Sequence, residues 1–150
     1  MKKNVTQSTE GLTLLGVTKN VPSRKLETFD SNSSTAVVEF FTKEFTANCA
    51  VTAQPDFYTL RIRYKPNSKY IESKSLKMYL WSYRDTNAFI ETLVRMIEDD
   101  VISACKPEWV FVELEMSPRG GILMKCSIAH KYDSILDFYN PIELGPKGGR

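Results

Sequence analysis

Hydrophobic and polar positions alternate at a period of two in several stretches of this chain and at a period near 3.6 in two others. The order of those stretches predicts the fold. Residues 57–64, FYTLRIRY, put Tyr58, Leu60, Ile62 and Tyr64 on one side of an extended chain, and residues 35–43, TAVVEFFTK, supply the β-branched and aromatic residues of a neighbouring strand. Residues 109–116, WVFVELEM, and 122–131, ILMKCSIAHK, predict a second pair of strands joined by the turn SPRGG. Between the pairs, KPNSK at 65–69 ends a strand. ESKSLKMYLWSYR at 72–84 then repeats Leu76, Tyr79, Leu80 and Tyr83 at steps of three and four, with Ser73 as N-cap. DTN at 85–87 interrupts that pattern, and Thr86 caps a second helix whose apolar face runs through Ile90, Leu93 or Val94, Ile97, Val101 and Ala104 to Cys105. At about 1.5 Å per residue this helix would be roughly 28 Å long. The order ββααββ predicts an α+β domain, an antiparallel four-stranded sheet with both helices on one face.

Residues 1–34 lack a clear period and read as an N-terminal arm, packed at Leu14 and Leu15; residues 35–132 form the domain, and residues 133–150 an extension with a short helical turn and a flexible GPKGGR tail. The outer strands of a four-stranded sheet are unpaired, and unpaired edges invite association. Extension of the sheet between subunits into a ring or barrel would set residues 44–57 beside a neighbouring chain, so a homo-oligomer is expected.

Composition narrows the function classes. With 42% hydrophobic and 11% aromatic residues, a chain of 150 residues can build a real core, and its N-terminus shows no apolar block of the kind a signal peptide or membrane span needs. A cytoplasmic protein without a membrane partner is expected. Cys49, Cys105 and Cys126 form no C-x-x-C pair, which predicts reduced thiols and neither a disulfide framework nor a metal site. A net charge of +2 is too balanced for a duplex-DNA binder, and the single histidine, His130, excludes a site built from several imidazoles and is given no catalytic role.

Candidate chemistry centres on residues 44–57, EFTANCAVTAQPDF, read as a loop between the first two strands that presents Cys49 and Asp56. A thiol is a weak nucleophile until a partner moves its proton, and Asp56 is such a partner; equally, Cys49 can be a small buried hydrophobe and Asp56 a turn residue after Pro55. Phe89 beside Glu91 pairs an aromatic face with a carboxylate, which suits a purine-like base, although an acid at a helix start is also favoured by the dipole alone. Lys74, Lys77 and Arg119 can hold phosphates or simply be solvated. No G-x-G-x-x-G or G-K-[ST] loop is present.

Taken in order, EFTANCAVTAQPDF, ESKSLKMYLWSYR and SPRGG resemble the short-form queuosine-pathway nitrile reductases, NADPH-dependent enzymes acting on 7-cyano-7-deazaguanine; the likeness covers residues 12–126. It implies a tunnelling fold (T-fold) assembled into ring-shaped oligomers with sites at subunit interfaces. It further implies Cys49 as the nucleophile forming a thioimide on the nitrile and Asp56 as the group handling protons. Ile71, Glu72, Ser73 and Glu91, with Phe89 and Ile90 alongside, would bind a small 7-deazaguanine substrate, and Lys74, Lys77 and Arg119 would bind NADPH, with no direct nucleic-acid partner.

One departure stands out. The family reads F-H-E where this chain has Phe89, Ile90 and Glu91, and isoleucine can donate neither a hydrogen bond nor a proton. That substitution opens an alternative, a cofactor-independent enzyme of similar fold that lets ammonia attack the same thioimide to make an amidine in nucleic acid. A third reading is a non-catalytic purine-binding homologue. The retained E-S-K-S-L-K-x-Y segment favours the reductase.

Overall fold

The computed structural model describes residues 8–18, 20–32 and 35–131; the helical turn and tail expected beyond residue 132 lie outside them. Four strands, β2 (Val38–Asn48), β3 (Pro55–Lys65), β5 (Trp109–Arg119) and β6 (Ile122–His130), form one antiparallel sheet in the order β2-β3-β5-β6. Two helices, α1 (Ser73–Trp81) and α2 (Ile90–Cys105), lie between the two hairpins in sequence, with α2 packed on β5 and β6 and α1 against β2. Period two separates the faces. Tyr58, Leu60, Ile62 and Tyr64 of β3 and Val110, Val112 and Leu114 of β5 are buried against Leu93, Val94, Ile97 and Val101 of α2. On the opposite face Arg63 pairs with Glu39 at 3.1 Å and Lys125 with Glu115 at 3.1 Å. No helix among the described residues is long and apolar enough to cross a membrane.

Three expectations need correction. The first strand does not stop at Lys43. The β2–β3 register shifts between Thr42, opposite Leu60, and Phe45, opposite Tyr58, so two residues of β2 face one of β3. Such a bulge reverses which residues point inward, and the lost alternation looks like a strand end in sequence. The loop expected over residues 44–57 therefore shrinks to residues 49–54, and Asp56 lies on β3, 5% exposed rather than displayed.

Second, neither expected N-cap holds. Glu72 caps α1, its carboxylate accepting the N–H groups of Lys74 at 2.8 Å and Ser75 at 2.7 Å. Phe89 precedes α2 without any side-chain cap, while Thr86 accepts a hydrogen bond from Arg24 at 2.6 Å. Helix α2 is consequently 16 residues, about 24 Å.

Third, the arm is not devoid of regular structure. Its residues Thr28–Asp30 form β1, which pairs antiparallel with β4 (Lys69–Ile71), three residues being too few for a period to register. The buried Glu27 ties the arm down, its carboxylate accepting the Thr13 and Leu14 N–H groups at 2.9 and 3.2 Å. Burial acts to raise the Glu27 pKa, but these bonds and that from the Thr13 hydroxyl outweigh it and hold the carboxyl below its usual range. Leu15, expected to pack, is half exposed.

Candidate active site

Two local features carry Cys49 and Asp56 to one end of the sheet. The turn after β2 is closed by the Cys49 N–H to the Gln54 carbonyl at 2.8 Å and the Ala53 N–H to the Cys49 carbonyl at 3.0 Å, with Ala53 at a φ of 56°. Asn48 is stitched to the segment before α2, its N–H reaching the Thr86 carbonyl at 2.9 Å and its carbonyl accepting the Ala88 N–H at 3.1 Å. The thiol is thereby held beside the start of α2. From the other side, β5 shifts register between Met116 and Arg119. Residues 117 and 118 together oppose one residue of β6, so Arg119 points inward and its Nη2 meets Asp56 Oδ1 at 2.5 Å.

The electrostatics suit a nucleophile. The Thr52 hydroxyl first, then the backbone N–H groups of Thr52 and Val51, favour the thiolate of Cys49; Arg119 adds a smaller contribution, and together they bring the thiol down to about 7. Burial pushes Cys105 up to about 12 and also raises Cys126, whose second influence is the Glu91 charge. Cys49 is thus the thiol among the three that ionises near neutral pH.

A pocket of about 170 Å³ is lined by Cys49, Asp56, Tyr58, Phe89, Ile90, Glu91, Met116, Arg119 and Met124, among others. Phe89 is 59% exposed and presents its ring, Glu91 is exposed, and Ile90 is 2% exposed with its side chain in the core. Six of the residues singled out from the sequence therefore share this pocket. Ile71, Glu72 and Ser73 do not line it: Ile71 is buried, Glu72 is occupied as the cap of α1, and Ser73 is on a different cleft.

A family model described as QueF-like protein matches residues 55–134, just over half of the chain. A relative from Syntrophus aciditrophicus, named NADPH-dependent 7-cyano-7-deazaguanine reductase, is 44% identical over 122 residues, 80% of this chain and 86% of its own length. The chain belongs to the QueF-like family. A relative of the same name from Frankia casuarinae is 36% identical over 123 residues, 82% of this chain and 98% of its own length. The crystal structure of an archaeosine synthase QueF-Like in the apo form superposes with a TM-score of 0.62 at 20% identity, covering 67% of this chain and 98% of that one, a likeness of fold.

This QueF-like chain has a second, larger cleft of about 580 Å³ between β2 and α1, lined by Phe41, Leu76, Trp81, Ser73, Lys77 and Arg84 among others. It holds no thiol. Lys77 is exposed along it, whereas the ammonium of Lys74 bonds to the Val17 carbonyl of the arm. Arg119 is remote from this cleft, engaged with Asp56. Sequence reasoning missed the Thr52 and Val51 donors, which carry no motif, and Tyr58, which continues from Asp56 at the same period of two.

The Cys49 environment gives a testable pH dependence. Because its pKa is lowered, the thiolate is present above about pH 7 and is lost as pH falls through that value. Iodoacetamide should alkylate one thiol of the folded protein with a midpoint near pH 7, and Thr52→Val should move that midpoint upward. A midpoint near 8.5 for wild type, the ordinary range of a free cysteine, would refute the assigned environment.

Proposed function

We propose that this chain reduces the nitrile of 7-cyano-7-deazaguanine to an aminomethyl group with NADPH, through a thioimide on Cys49. The observation that supports this most is a thiol with a pKa of about 7 sharing a 170 Å³ pocket with a buried carboxylate and with Phe89 and Glu91. A planar base can stack on the exposed Phe89 ring while Glu91 accepts its N–H groups. Asp56 is held by Arg119, its Oδ1 2.5 Å from the guanidinium, and acts as the proton carrier. It takes the proton of the thiol as Sγ adds to the nitrile carbon; the S–C bond forms, one C–N π pair moves onto nitrogen, and Asp56 returns the proton to that nitrogen. Ile90 contributes packing only, so this proton handling falls to Asp56.

The donor set of the 580 Å³ cleft suits NADPH: Lys77, Arg84 and the Ser73 hydroxyl for phosphates, Trp81 and Phe41 for flat rings. NADPH, when bound, supplies hydride, and reduction of a nitrile to a primary amine takes two. Lys77 would hold a phosphate there. A tunnelling-fold ring accompanies this reading. The outer strands β2 and β6 are the edges through which subunits would join, and Ile71, Glu72, Ser73 and Lys74, which lie away from the Cys49 pocket of their own chain, would approach the pocket of a neighbour.

The deciding experiment follows NADPH oxidation and nitrile loss together. Two NADPH should be consumed per nitrile, and Lys77→Ala should raise the apparent KM for NADPH by about tenfold, the loss of one charge-assisted contact, with little change in kcat. Nitrile loss that needs ammonium but no NADPH would transfer the chain to the amidine-forming reading.

A further inference from the structure

Tyr58 is 1% exposed, follows Asp56 by two residues on the same face of β3, and lines the Cys49 pocket. Its hydroxyl makes no hydrogen bond within the described chain, an unusual state for a buried phenol. The other core tyrosines behave differently. The Tyr64 oxygen accepts the Ile71 N–H at 2.9 Å, and the Tyr79 hydroxyl lies 2.6 Å from that of Tyr83 and donates to Asp100 at 2.6 Å. The Tyr58 ring is held by Phe45, 5.7 Å between centroids, and sits opposite Met116 in the sheet. Asp56 is near enough to act on the phenol through its charge, yet the two do not meet in hydrogen-bond geometry, and Asp56 Oδ1 is already engaged by Arg119. Burial first, and the Asp56 charge second, push Tyr58 up to about 12, so at neutral pH it keeps its proton and is available as a donor.

We propose that the Tyr58 hydroxyl donates a hydrogen bond to the nitrile nitrogen, and to the thioimide nitrogen it becomes, stabilising the charge that develops there as Cys49 adds. The inference rests on the thioimide reading above and adds to it a residue that the reading does not use. Tyr58 keeps its own proton throughout. The S–C bond forms, the π pair moves to nitrogen, and the proton that reaches nitrogen is the one Asp56 took from the thiol. A donor fixed by packing before substrate arrives is worth most where charge appears only in the transition state.

Tyr58→Phe tests this, because it keeps the ring and removes only the hydroxyl. Adduct formation on Cys49, followed by rapid quench and intact mass, should slow by about 100-fold, the scale set by removing one preorganised donor. Affinity for the same base lacking its cyano group should stay at the wild-type value, and Tm should hold or rise, because an unpartnered buried hydroxyl does not stabilise the fold. A purely structural role would instead lower Tm and weaken binding of the cyano-free base. Adduct formation by Tyr58→Phe at the wild-type rate overturns the Tyr58 proposal alone. A wild-type protein that gains no substrate mass overturns the thioimide reading, and this proposal with it.

Discussion

Cys49→Ala is expected to abolish both the covalent adduct and turnover, a loss of about 10⁴-fold or more, as befits a nucleophile for which nothing nearby can substitute. The two other thiols cannot take over. Cys105 is buried with its Sγ donating to the Val101 carbonyl at 3.2 Å, and its pKa is pushed up to about 12; Cys126 is also raised. The fold should tolerate the change, since Cys49 sits on a turn held by backbone hydrogen bonds that alanine retains. Intact-mass measurement after incubation with 7-cyano-7-deazaguanine reads the result directly: wild type gains one substrate mass and Cys49→Ala gains none. Adduct on the alanine variant would remove Cys49 from the mechanism.

Asp56→Asn is expected to slow adduct formation by about 10²–10⁴-fold, the range for a positioned acid or base. The amide preserves shape but can neither accept the proton of the thiol nor return it to nitrogen. Arg119, half exposed, can be solvated once its partner is neutral, so Tm should change much less than the rate. The pH profile separates this role from a mere electrostatic one. In wild type the rate should hold a plateau below about pH 7 and fall above it, as the thiol loses to solvent the proton that Asp56 relays, and in Asp56→Asn that plateau should drop. An unchanged plateau would make Asp56 a structural partner of Arg119 and nothing more.

The sheet and both helices were legible because long segments with one period betray their faces: β3 and α2 could be read almost residue by residue. What escaped were the places where the period breaks. The bulge after Thr42 hid nearly half of β2, and with it the burial of Asp56. Had the alternation of Tyr58, Leu60, Ile62 and Tyr64 been extended back one step, Asp56 would have fallen on the inward face beside Tyr58. Helix starts misled for a related reason. Ser73 and Thr86 have capping side chains, but cap geometry depends on where the chain arrives, and β4 delivers Glu72 to that position instead. Phe89, Ile90 and Glu91 were legible as a group, whereas the link between Asn48 and Ala88 that carries them to Cys49 is made by backbone atoms alone and leaves no trace in residue type.

The bulge ahead of Arg119 makes the reactive end of this protein depend on counting as much as on chemistry. An exposed hairpin tip is ordinarily where a chain accepts extra residues without penalty. Here the tip has two unequal halves. A residue gained or lost between Met116 and Arg119 would turn the guanidinium to the outer face, toward the ladder of Glu113, Glu115 and Lys125, and strip Asp56 of its counter-charge while every residue of the pocket kept its identity. The same change at Gly120 and Gly121, beyond the bulge, would leave Arg119 in phase. Length variation in this hairpin is therefore expected to be confined to its glycine side.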